Sequence, residues 1–123
     1  MKFPIRFDTL GTVVMTPLGL GRRRSHVEVL DDSVEVRLVW GFTASIPRSS
    51  IRAASLLPRT FLSRGAHGWK GRWLVNGAGD GLVTLTIDPP ARARVTGVPV
   101  RLHELIVSME SPDDLVTALS PVD

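Results

Sequence analysis

The sequence predicts an all-β domain closed at its C-terminal end by one short helix. Three observations predict this class. Residues 1–109 are short apolar runs, mostly of period two, broken by Gly, Pro, Asn and Asp clusters. His26 to Trp40 has the pattern of an antiparallel hairpin, with Asp31-Asp32-Ser33 as its turn. Glu110-Ser111-Pro112-Asp113-Asp114 then supplies helix start signals directly before the apolar stripe of Leu115, Val116 and Leu119.

Taken in order, Phe3, Ile5 and Phe7 alternate with Lys2, Pro4 and Arg6, as in an edge strand with proline near its start. Thr12 to Met15 is a second apolar run, and Leu18 to Arg24 reads as a glycine-containing loop. In the hairpin, Val34, Val36, Leu38 and Trp40 share one face, and Glu35 and Arg37 share the other. Phe42 to Ile46 is a strand, Pro47-Arg48-Ser49-Ser50 a turn or one turn of helix, and Ile51 to Leu57 a strand stopped by Pro58. Phe61 to Gly68 reads as a loop and Lys70 to Val75 as a strand. Asn76 to Gly81 reads as a hairpin turn, and Leu82 to Ile87 as a strand rich in β-branched residues.

Asp88-Pro89-Pro90 is expected to turn the chain, after which Ala91 to Val95 alternates cleanly. Between Val100 and Met109 the apolar phase switches from even to odd positions, which predicts a bulge near His103-Glu104. In the terminal helix Ser111 is placed to cap, Pro112 stands at the first helical position, and Asp113 and Asp114 lie at the positive end of the dipole. Such a short helix is not stable alone and has to dock on the sheet.

At 123 residues with 43% hydrophobic content the chain is expected to be a single domain, 1–123. There is no cysteine, which excludes disulfides and thiolate chemistry. No apolar run reaches the ~20 residues of a membrane-spanning helix, and the first residues have no apolar signal-peptide core, so the expected location is the cytoplasm. The net charge of +3 is mild.

The second half carries a resemblance. Lys70-Gly71-Arg72-Trp73-Leu74-Val75, a glycine-rich turn, Gly81 to Ile87, a strand ending Leu105-Ile106-Val107-Ser108-Met109, and then Ser111-Pro112-Asp113-Asp114-Leu115 resemble the closing part of small bacterial pleckstrin-homology-like (PH-like) domains. Ile46 to Ile51 resembles their middle strands. Gly68 to Gly77 is similar to a stretch of actinobacterial proteins carrying Gly-Trp-x-Gly-Arg-Trp-Leu-Val-Asn-Gly. The resemblance implies a split antiparallel β-barrel of about seven strands capped by the helix, and it brings no set of functional residues.

Catalytic and cofactor signatures do not emerge. Asn76 to Gly81 lacks the helix start and the Gly-Lys-Ser/Thr that a phosphate loop needs. His26, His67 and His103 have no metal-type spacing, and no serine sits in a nucleophile elbow. The expectation is therefore no enzyme, no metal and no cofactor. What remains is a binding or interaction domain, with another protein or a second copy as partner.

The alternative is an anionic partner, lipid headgroup or nucleic acid, held by an Arg-rich face. Its candidate residues are Arg22, Arg23 and Arg24, together with His67, Trp69, Lys70 and Arg72, where basic and aromatic residues interleave. Arg48, Arg52, Arg59 and Arg64 are further basic residues of the middle segment. A small-molecule pocket near His67, Trp69 and Trp73 is the third expectation.

Overall fold

The computed structural model describes residues 1–6, 25–38, 42–58, 65–69, 71–76 and 78–119, with backbone only at 65–67 and 69. Phe7, Thr12 to Met15, Leu18 to Arg24, Trp40, Arg59 and Arg64 lie outside the described residues.

Among the described residues nine strands belong to one sheet: β1 (Lys2–Pro4), β2 (His26–Val29), β3 (Ser33–Leu38), β4 (Phe42–Pro47), β5 (Ile51–Leu57), β6 (Gly65–Trp69), β7 (Arg72–Asn76), β8 (Leu82–Val95) and β9 (Val98–Ser108). A 3-10 turn, Arg48–Ser50, links β4 to β5, and one helix, α1 (Pro112–Leu119), follows β9. The chain is mainly β with one short C-terminal helix, and its sheet is curled and open, a half-barrel.

The hairpin of β8 and β9 is the spine. Near its turn, residues 91–95 of β8 pair with β9 on one side and residues 92–95 with β4 on the other, and β4, β3, β2 and β1 follow as an antiparallel meander. At its far end, residues 82–86 of β8 pair with β9 and with β5. Between these ends residues 87–90 of β8 stand opposite a single residue of β9, His103, and the Asp88–Pro89 peptide is cis. The segment expected to turn the chain is therefore a bulge inside a continuous strand, and it is also where the apolar phase of β9 switches from Leu102 to Leu105. Arg52 Nε donates to the Asp88 carbonyl at 2.8 Å and ties β5 to the bulge.

Two further corrections concern residues 65–81. Gly65 to Gly68, expected as a loop, belongs to β6, because Gly68 pairs with Trp73 of β7 and leaves room for the indole. Trp73 is half-buried and packs on Phe42, with ring centroids 6.2 Å apart. Asn76 to Gly81 is not a hairpin turn, because β9 lies between β7 and β8. β7 runs parallel to β9, so the expectation of a wholly antiparallel sheet is not met at this pair.

The core follows the period-two pattern. One cross-strand row of inward residues runs Phe3, Val27, Val36, Ala44, Ala93 and Val100. The curl brings the end of β1 to the end of β9. Ile5 bridges Met109, Arg6 N–H donates to the Ser108 carbonyl at 2.9 Å, and Glu110 N–H donates to the Pro4 carbonyl at 3.1 Å. Helix α1 packs on β5 and β8 and sends Leu115, fully buried, into the core. Its C-terminal end is held by Arg48, whose Nη2 donates to the Ala118 carbonyl at 3.1 Å.

Candidate functional site: a charged groove on the polar sheet face

The residues that alternate with the core row point to the opposite face of β1–β4, β8 and β9. Register arranges them in two cross-strand rows. The first runs Lys2, Glu28, Glu35, Ser45, Arg92, Arg101. The second runs Pro4, His26, Arg37, Thr43, Arg94, Pro99. All of these but Pro4 line a groove of about 930 Å³, and Val36, Ala44, Ala93 and Val100, whose side chains belong to the inward face, complete its lining between the rows.

The charge pattern along the groove is uneven. Glu28 and Glu35 are direct cross-strand partners near one end, and Arg92 and Arg101 are direct partners near the other, with Ser45 between the two pairs. Like charges placed opposite each other destabilise a sheet. Arg94 stands two residues from Arg92 on the same face. Among the described residues Arg92, Arg94 and Arg101 form no ion pair, and all three are exposed. Glu35 is half-buried; its Oε2 is fully shielded from solvent and has no hydrogen-bond partner among the described residues. His26 is held below its ordinary pKa of 6.5 by burial first, then by Lys2, with Arg37 adding and Glu28 opposing.

The basic residues expected as a binding face are distributed differently. Arg22, Arg23, Arg24 and Lys70 lie outside the described residues. His67 and Trp69 fall in β6, opposite Leu74 and Arg72. Arg72 is exposed and pairs with Glu104 at 3.6 Å. Arg72 does not line the groove. Arg48 and Arg52 serve the fold: each donates to main-chain carbonyls, Arg48 to Leu30 and Ala118 and Arg52 to Asp88.

The groove arginines were within reach of the sequence. A two-residue turn at Thr96-Gly97 sets Val95 against Val98 and, counting outward, Arg92 against Arg101. Among the described residues no helix is long and apolar enough to cross a membrane. Comparison with known families, curated proteins and solved structures returned no match.

Proposed function

We propose that this chain is a non-catalytic binding domain that holds an anionic partner on the arginine end of the groove. The observation that carries the reading is the cross-strand pair Arg92–Arg101, with Arg94 beside it and no ion-pair partner for any of the three among the described residues. The fold gains nothing from this placement, because a neutral or acidic residue at either position meets the same backbone register at lower electrostatic cost. Paired guanidinium groups instead suit a carboxylate or phosphate, each able to accept two parallel hydrogen bonds. The curled, mainly β sheet with its docked C-terminal helix supports a PH-like relationship as part of the same proposal, and a cytoplasmic setting goes with it.

The test is titration of the ¹⁵N-labelled protein with inorganic sulfate and with a short oligoglutamate, following backbone and arginine Nε–H resonances. Shifts are expected at Arg92, Arg94 and Arg101. They should weaken as the Debye length falls from about 30 Å at 0.01 M salt to about 8 Å at 0.15 M. The double substitution Arg92→Ser with Arg101→Ser should abolish them. Shifts unchanged by that substitution would overturn the proposal.

A further inference from the structure

The arginine end of the groove holds more than a pair. Arg92 and Arg101 are cross-strand partners, so their Cβ atoms stand about 5 Å apart. Arg94 lies two residues along β8 from Arg92, roughly 6.8 Å away on the same face, and on the diagonal from Arg101, about 7–8 Å away. The three side chains rise from the corners of a small triangle, and all three are exposed. Each guanidinium sits on a flexible methylene stem, long enough for the three heads to meet over the triangle's centre. Strand β4 adds two exposed hydroxyls beside them, Ser45 opposite Arg92 and Thr43 opposite Arg94.

The charge balance of the chain points to the same place. Lys2 and Arg37 offset Glu28 and Glu35 in the groove lining, which leaves +3 on Arg92, Arg94 and Arg101. The whole chain, with 15 Lys and Arg against 12 Asp and Glu, also carries +3. Outside the lining the remaining basic and acidic residues cancel, so the formal excess of positive charge falls on the triangle.

We infer that the arginine triangle binds the phosphate group of a small phosphate monoester. The inference rests on the anion-binding reading above and names its ligand. A carboxylate offers two coplanar oxygens and one charge, and a single guanidinium fork can engage both oxygens. A phosphodiester likewise offers two free oxygens and one charge. A monoester offers three oxygens that point in different directions and about −1.5 to −2 charges at pH 7. Of the three groups it alone gives each guanidinium an oxygen of its own. The groove volume of about 930 Å³ suits a small molecule, for which sites of roughly 300–1,000 Å³ are usual. The described lining contains no aromatic residue, so a nucleic-acid base finds no stacking platform there.

The probe is glycerol phosphate. It is compared by NMR titration, at one ionic strength, with dimethyl phosphate, acetate, the peptide acetyl-Gly-phosphoserine-Gly-amide and a duplex oligonucleotide without terminal phosphates. Glycerol phosphate is expected to bind about tenfold tighter than dimethyl phosphate or acetate, the worth of one added charge-assisted hydrogen bond. Arg94→Ser should erase that preference and leave the weak binding of acetate to Arg92 and Arg101. Arg72→Ser, a control at an exposed arginine outside the groove, should preserve it.

Equal affinity for glycerol phosphate, dimethyl phosphate and acetate, or a preference that survives Arg94→Ser, overturns this inference while leaving anion binding standing. Failure of every anion to bind, or binding indifferent to Arg92→Ser with Arg101→Ser, overturns the anion-binding reading itself. A phosphopeptide that binds tighter than glycerol phosphate replaces the small ester with a phosphorylated protein. A duplex that does so replaces it with the nucleic-acid backbone.

Discussion

Replacing Leu115 by alanine tests how the C-terminal helix is held. Helix α1 has eight residues, too few for stability in water on local interactions alone, so its order depends on docking. Leu115 is its one buried residue, fully enclosed against the sheet; Val116 and Leu119 are half-buried. Leu115→Ala deletes three buried carbons, worth ~2.4 kcal/mol at about 0.8 kcal/mol each. A cavity that the core does not refill adds up to about 2 kcal/mol more. The expected loss is thus about 2.5–4.5 kcal/mol, a large share of the 5–15 kcal/mol typical of a domain. Helix docking also sets a ceiling. If the loss exceeds the docking free energy, α1 detaches, Arg48 loses its bond to the Ala118 carbonyl, and the sheet survives. Urea unfolding followed at 222 nm and by tryptophan fluorescence separates the two cases. One shared transition moved to lower urea means a cavity; an early loss of helical signal followed by an unchanged fluorescence transition means detachment. A loss under about 1 kcal/mol with the 222 nm signal intact would refute the claim that Leu115 anchors the helix.

Three further outcomes are expected. Gly81→Ala should destabilise by about 2 kcal/mol or more, because φ is +67° there and the new Cβ would stand 2.7 Å from the Met109 carbonyl oxygen; an unchanged urea midpoint would count against it. Thr96→Asn should stabilise by about 0.5–1 kcal/mol, because Thr96 holds a φ of +48° that asparagine tolerates better in a two-residue hairpin turn; a lowered melting temperature would contradict this. His26 titrates below its ordinary 6.5 in the folded protein, so its contribution is fully present above pH 6.5 and is lost as the pH falls from there toward the lowered value, the unfolded chain taking up the proton first. His26→Gln should flatten that part of the urea-midpoint profile, and parallel profiles for the two proteins would remove His26 as the cause.

Period-two alternation was sufficient where both partners of a pair are close in sequence. Val27 and Val29 meet Val36 and Val34 as the hairpin pattern requires, and Ala91, Ala93 and Leu102 are buried while Arg92, Arg94 and Arg101 are exposed. The helix was legible because Ser111, Pro112, Asp113 and Asp114 act locally. Long-range pairing was not. Nothing in Arg72 to Asn76 marks that it lies parallel to Glu104–Val107, because a parallel partner leaves no turn signature. Gly65 and Gly68 resemble loop residues until Trp73 is seen to occupy the space that a side chain at Gly68 would fill. Pro89 and Pro90 resemble a turn until β8 is seen to continue through them as a bulge. The candidate site was hidden for a related reason. Local clustering drew attention to Arg22–Arg24 and Lys70–Arg72, whereas the groove collects charges from five strands by register alone.

The arrangement of those charges argues more than their number. The core row from Phe3 to Val100 fixes which residues face inward and leaves the alternate rows unconstrained by packing. On such rows, cross-strand pairs of opposite charge stabilise by about 0.2–1 kcal/mol and like pairs cost a similar amount. Replacing Arg101 with glutamate would convert Arg92–Arg101 into an attractive pair without touching the core. The sequence instead gathers Arg92, Arg94 and Arg101 at one end, while Glu28 and Glu35 share the other with Lys2 and Arg37. Folding does not require that cluster of arginines, whereas a bound anion would gain from it. The arginine cluster is therefore the feature on which the proposed anion binding rests.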